Sequence, residues 1–285
     1  MDVIDDASVK SKRRLRTVLR TLLCLVAIWL VGNEVTACMT WYFAHQMGRD
    51  YPGLSVVPQP LAETDTAVLR GLRVDHFGYS LQVPWDELSS SRDLQGVSYK
   101  FFKSGTALTI FDPAGEADTR TVMGAILAKN GLNPNGLYGG DKTRSNYDFL
   151  MESTCTIPGQ VGLFQSRLSN ARGLTFLTLK LTNSPRNGEA FYEVQQGEVR
   201  GLQFGDPSIA PFNVRLEVFD ANDTHYKIWL SAGKDSKGAV LTQAEVNAVL
   251  RSIHRSTNRD GRGSDRPQVG AMHYPRPLRE LVVSR

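Results

Sequence analysis

Twelve uncharged, mostly apolar residues, Thr21 to Gly32, lie directly behind a basic stretch, and they constrain what this chain can fold into. Asn33 and Glu34 interrupt the run, and apolar and aromatic residues resume from Val35 to Ala44, with Trp41, Tyr42 and Phe43 among them. A bilayer core needs about 20 mainly apolar residues, and residues 21–43 supply them. Lys10, Lys12, Arg13, Arg14, Arg16 and Arg20 precede the run, which puts the N-terminus in the cytoplasm and the C-terminal body outside. Trp41 and Tyr42 then fall at the outer interface. The expectation is a single-pass protein of the cytoplasmic (inner) membrane, periplasmic in its body if bacterial. Its parts are a basic segment at 1–20, a transmembrane anchor at 21–43, a linker at 44–70, an exported domain at 71–255 and a disordered basic tail at 256–285.

Glu34 is the difficulty. A central charge costs about 2.5–3.5 kcal/mol on insertion scales, whereas each strongly apolar residue returns about 0.3–0.6 kcal/mol. Asn33 and Glu34 therefore mark a candidate intramembrane contact with a partner helix. A second reading is a cleaved signal, with a basic n-region, a 12-residue apolar core and a small-residue site at Val35-Thr36-Ala37. Val35-Thr36-Ala37-Cys38 resembles a loose lipobox, the motif at which bacterial lipoproteins are cut and lipidated, and Cys38 is then the candidate lipidation or cleavage site. Glu34 departs from that motif. Apolar character continuing past Cys38 favours the uncleaved anchor.

The whole chain has the composition of an ordinary folded protein, with 41% hydrophobic and 22% charged residues. Of the net charge of +4, residues 1–20 carry +3 and residues 251–285 carry +5, which leaves the middle at −4. A nucleic-acid-binding core needs a basic face, so that class is set aside. Cys155 is the only cysteine of the body, which rules out an internal disulfide there, and it reads as a buried structural thiol.

Hydropathy patterning gives the body its elements. Pro52, Gly53, Pro58 and Pro60 break periodicity in the linker. Tyr79, Leu81 and Val83 alternate with polar residues as in a half-buried strand. Val97–Phe102 and Thr106–Phe111 flank Lys103-Ser104-Gly105 as a hairpin. Residues 119–129 have helical character, with Asn130-Gly131 as a stop and a Gly/Asn/Pro-rich loop to 144. Tyr147, Leu150 and Met151 fit a helix behind a Ser145/Asp148 capping box. Val161, Phe164 and Leu168 fit another, with Gly173 beyond its end. Leu174–Leu181 is apolar enough for a strand or a buried helix. Ala190–Gln195, Glu198–Phe204, Val214–Val218 and Tyr226–Leu230 form a meander with short turns, hence antiparallel. Thr242 and Glu245 box the start of the clearest helix, with Val246, Val249, Leu250 and Ile253 on one face.

The expected fold class is α+β, a curved antiparallel sheet with helices on one face. A meander closed by an amphipathic helix resembles the Mog1/PsbP-like α/β/α sandwiches. The resemblance covers the last two or three elements and implies no site residue.

Signals for chemistry are sparse. Gly136 to Thr143 nearly spells a phosphate-binding loop, but Asp141 stands where a glycine must precede Lys142, and a surface turn accounts for it. His45, His76, His225, His254 and His273 show no ligand spacing. No Gly-x-Ser-x-Gly elbow occurs. Glu189, Glu193, Glu198 and Glu217 lie on strands that need solvating charge. Asn222-Asp223-Thr224 is a glycosylation sequon and also a turn. No cofactor or metal is expected, and no catalytic residue is assigned. The reading is a membrane-tethered, non-catalytic binding or envelope-assembly module, with the membrane, an envelope protein or a second copy as partner. The alternative is an exported hydrolase whose site forms only in three dimensions, gathering His76 or His225 with Cys155 or paired carboxylates.

Overall fold

The computed structural model describes residues 34–61, 67–113, 145–163, 167–183, 188–233 and 240–256, together with Cys24, Gly32, Gln165, Pro185 and Ser236. The expected helix at 119–129, the loop at 131–144 with its Gly136–Thr143 motif, Asn33, Phe164, His273 and the tail beyond Ser256 lie outside the described residues.

Four helices and two sheets make up this part of the chain. Residues 34–50 form α1, followed by a short 3-10 turn at Pro52–Ser55. The strands are β1 (Gln59–Pro60), β2 (Arg73–His76), β3 (Tyr79–Gln82), β4 (Leu88–Leu94), β5 (Val97–Phe102), β6 (Thr106–Phe111), β7 (Phe191–Gln196), β8 (Val199–Phe204), β9 (Asn213–Phe219), β10 (His225–Ala232) and β11 (His254–Arg255). The remaining helices are α2 (Asn146–Cys155), α3 (Arg167–Asn183) and α4 (Gln243–Ser252).

The large sheet has the order β1-β7-β8-β9-β10-β6-β5-β4. It joins two antiparallel meanders, β4-β5-β6 and β7-β8-β9-β10, through antiparallel pairing of β6 with β10, in which Ile110 faces Ile228 and Leu108 faces Leu230. Only β1 runs parallel to its neighbour. The α+β class and the meander expected from the sequence are therefore present.

Helices cover both faces, not one. The main core takes Leu108, Ile110, Val214, Leu216, Val218, Ile228 and Leu230 from the sheet and Val246, Val249, Leu250 and Ile253 from α4 and its end. The small sheet β11-β3-β2 adds Val74, Tyr79 and Leu81. On the other face, Leu150 and Met151 of α2 pack against Phe191, Leu202 and Phe204. The β9–β10 turn helps to hold α2 there. Asp223, in a left-handed conformation at φ 61°, accepts hydrogen bonds from Asn146 N–H (2.6 Å) and Tyr147 N–H (3.2 Å) at the helix start.

Both expected capping boxes form, Ser145 with Asp148 and Thr242 with Glu245. Two local readings change and one open alternative closes. β3 is buried on both faces, because Ser80 is as inaccessible as Tyr79 and Leu81 and accepts a hydrogen bond from Arg73 Nε at 2.7 Å. Leu174–Leu181, open between strand and helix from its pattern, is helical and belongs to α3. Gly173 lies inside α3 and not beyond a helix end, and it serves packing there: a Cβ would sit 3.0 Å from Val161 Cγ2.

Gly201 has a sharper constraint. A Cβ on this residue of β8 would lie 2.1 Å from the Glu217 carbonyl oxygen and 2.6 Å from Val218 Cα. Backbone cannot yield as a flexible side chain does. Gly201→Ala is expected to lose about 1–3 kcal/mol or more in urea denaturation. Gly159→Ala, where a Cβ meets nothing within 4 Å, should change little.

Candidate functional site

The residues the sequence singles out for chemistry do not converge. His76, on β2, has Nε2 3.7 Å from Asp93 on β4. Burial lowers its pKa, Lys100 adds to the lowering, and Asp93 opposes it. Asp93 is itself occupied, accepting a 2.6 Å bond from Ser98 Oγ and lying 3.6 Å from Lys100 Nζ. His225 lies across the sheet on β10, stacked on Phe219 at 4.4 Å with Nε2 3.8 Å from Glu217 Oε2. Burial first, and Lys227 second, push its pKa down to about 3. It is therefore neutral at ordinary pH, and its approach to Glu217 is not an ion pair there.

Cys155, at the end of α2, is exposed and not buried as expected. Partial desolvation nevertheless raises its thiol pKa, against the pull of Lys180, so it is not an activated thiolate. The carboxylates are dispersed too. Glu189 pairs with Arg215 at 2.9 Å, and Glu193 accepts from Tyr147 OH at 2.9 Å. Glu193 and Glu217 flank Leu202 in the sheet register, which puts them two strands and about 10 Å apart with a buried leucine between. His45 lies on α1 with its ring 4.5 Å from that of Trp41. Among the described residues no group of three or more His, Cys, Asp or Glu could hold a metal ion.

A cleft of about 230 Å³ is lined by Glu198, Asp220, Tyr226, His254 and Arg255. Its acid is committed to the turn. Asp220 accepts from Asn222 N–H (2.8 Å), Thr224 N–H (2.9 Å), Tyr226 OH (2.9 Å) and Arg255 Nε (3.3 Å). Burial works to raise its pKa, but these donors together outweigh it and hold the carboxyl below the usual range. A carboxylate with that donor set is a poor base near neutral pH. A second cleft, of about 250 Å³, is lined by Glu189, Asp206, Ile209, Pro211 and Asn213. Neither contains His76, His225 or Cys155.

The more distinctive arrangement is α1. Its two faces differ in kind. Ala44 is fully buried with Val161 and Leu177, and Met47 packs beside it. One turn on, Gly48 meets Pro158 so closely that a Cβ would lie 2.7 Å from Pro158 Cγ. Thr40, Ala44 and Gly48 thus place small residues every four positions, which lets the helix approach the body. The chain beyond is also pinned. Tyr51 N–H bonds to Met47 O, Leu54 is fully buried, and β1 pairs with β7. On the opposite face, Val35, Met39, Tyr42 and Phe43 recur at helical spacing and are each 50–58% exposed. Glu34 and Cys38 are exposed as well. Among the described residues no helix is long and apolar enough to cross a membrane.

Lys180, inside the apolar run of α3, is only 1% exposed, and its Nζ donates to Thr156 O at 3.0 Å. The burial of this lysine is not legible in the sequence, because the leucines around it dominate the pattern. Burial lowers its pKa to about 8, with Cys155 opposing. A lysine sealed to this degree meets no substrate. No family model, no curated protein and no solved structure matches the chain.

The lysine has a stability signature. Its folded-state pKa of about 8 lies below the ordinary value of 10.5, so the unfolded chain binds more protons between those limits. The cost of burying the charge is full below pH 8 and is relieved as pH rises towards 10.5. The wild type should therefore gain stability relative to Lys180→Met over that window in paired denaturation curves. Parallel curves would show that Lys180 is not depressed.

Proposed function

We propose that this chain is a single-pass membrane-tethered domain, its body exported and its role non-catalytic binding or assembly in the envelope. The observation that carries the reading is the two-faced helix α1. A stripe of Val35, Met39, Tyr42 and Phe43 facing outward is costly in water and is satisfied by lipid or a partner helix. It continues the apolar run of residues 21–32. The opposite face enters the body at Ala44, one residue after the proposed span of 21–43 ends. The domain is then held directly against the membrane surface and not on a free tether. Asn33 and Glu34 fall where a partner helix would meet the anchor, and Cys38 stays unmodified on the outer part of α1.

The scattered His76, His225 and Cys155 support a non-catalytic body, and nothing specific favours the hydrolase. The Mog1/PsbP-like α/β/α arrangement belongs to this proposal also. It is supported by a sheet with α4 on one face and α2 on the other.

Alkaline extraction of membranes followed by intact-mass measurement tests the proposal. The expected result is protein retained in the membrane pellet at the full-chain mass. A mass beginning at Cys38 establishes the cleaved signal instead, and full-length protein released by alkali overturns the anchor.

A further inference from the structure

The outward face of α1 changes character along its length. Val35, Met39, Tyr42, Gln46 and Arg49 follow one another at steps of four, three, four and three residues, so they share one sector of about 80°. From the N-terminal end that sector runs through two apolar side chains, a tyrosine, an amide and a guanidinium. Val35, Met39 and Tyr42 are 54%, 55% and 58% exposed, and Arg49 is exposed as well. Gln46 turns its amide down the helix to the Asp50 carboxylate, at 3.1 and 3.2 Å. Apolar, then aromatic, then charged is the order in which acyl chains, interface and headgroups follow one another across a leaflet. Tyr42 marks the turning point, about 10 Å of helix from Val35 and from Arg49 alike.

Two occupants suit an apolar helix face at this level, acyl chains and another helix. Side-chain size separates them. Helices that meet in a bilayer approach through small residues. On α1 the small residues lie on the other side, where Ala37 is 9% exposed, Ala44 is fully buried and Gly48 meets Pro158. The outward sector offers only bulky side chains. The threonine hydroxyls of this stretch need no water. Thr36 Oγ1 donates to Gly32 O at 2.9 Å and Thr40 Oγ1 donates to Thr36 O at 2.8 Å, which satisfies both within the helix. The uncharged run Thr21–Gly32 ends three positions ahead of Val35, so the preceding segment delivers this face to hydrocarbon. Glu34 is exposed but falls about 100° away from Val35, outside the sector.

We propose that the outward sector of α1 faces lipid and not another helix. Val35 and Met39 lie among acyl chains, Tyr42 sits at the interface, and Arg49 reaches the headgroup phosphates. The proposal rests on the anchor reading above and names the occupant of its exposed face. The body, docked at Ala44, Met47 and Gly48, then lies level with the headgroups. Glu34 stays on the flank, the side from which a partner helix is met.

The test uses the full chain in vesicles of phosphatidylethanolamine and phosphatidylglycerol, with Cys24, Cys38 and Cys155 replaced by serine. Spin labels are introduced singly through Val35→Cys, Met39→Cys, Tyr42→Cys and Arg49→Cys, all at exposed positions, and through Thr40→Cys on the body side. Collisions with oxygen, which enters hydrocarbon, are compared with collisions with a water-soluble nickel chelate. The oxygen-to-chelate ratio should fall at least about fivefold from Val35 to Arg49, in step with depth. The label at Thr40 should meet oxygen less often than its neighbour at Met39. Low collision rates with both reagents at Val35 and Met39 place a helix on the sector and overturn the proposal. So do frequent chelate collisions at those positions, a ratio that is level along the sector, or equal oxygen rates at 39 and 40. The outward positions are read independently, so one variant that fails to fold leaves the trend measurable. Alkaline extraction separates this result from the anchor itself. A chain retained by alkali with a shielded sector keeps the anchor and loses the lipid contact, and a released chain whose sector meets oxygen does the reverse.

Discussion

The pairing of β6 with β10 holds the structure together. Each meander alone is a three- or four-stranded ribbon with two open edges. Joined at Ile110–Ile228 and Leu108–Leu230, they present one continuous apolar face on which α4 and the small sheet can bury their own side chains. The partners are far apart in sequence, so this contact must close a long loop before it is rewarded. Local signals, namely the capping boxes, the short turns and the alternation in β9 and β10, make each meander ready before the seam forms.

The same division between local and distant explains what the sequence reveals. The meander and the last helix are legible because alternation, turn residues and Thr242-x-x-Glu245 are short-range features with direct physical meaning. β4 is not legible. Both its faces meet solvent, so it has no reason to alternate, and Leu-Ser-Ser-Ser-Arg-Asp-Leu resembles a loop. Gly173 suggests a helix stop but is instead the residue that lets Val161 approach α3. Which face each helix takes is decided by which strands lie beneath it, and no pattern within a helix encodes that.

The candidate sites behave similarly. Histidines and carboxylates are visible in a sequence, but their separation is not, and three-dimensional placement disperses His76, His225 and Cys155 to different parts of the molecule. The docking of α1 is not legible for the opposite reason. Thr40, Ala44 and Gly48 are small and only weakly hydrophobic, so a hydropathy reading ends the anchor at residue 43 and begins a linker. Packing makes use of their smallness. The face that looks weakest in hydropathy is the one that joins the body.

A helix with a small-residue face on the body and a large apolar face outward leaves little freedom between α1 and the domain it docks on. On the proposed tethered reading, the domain keeps a single pose relative to α1, unlike a module on a flexible linker. A distance measurement between spin labels on the native Cys38 and Cys155, with Cys24→Ser, tests this most directly. Both labelled residues are exposed, and about 15 Å of helix separates Cys38 from Gly48. The account predicts one narrow distance distribution that broadens in Gly48→Leu. A broad distribution in the wild type would contradict it.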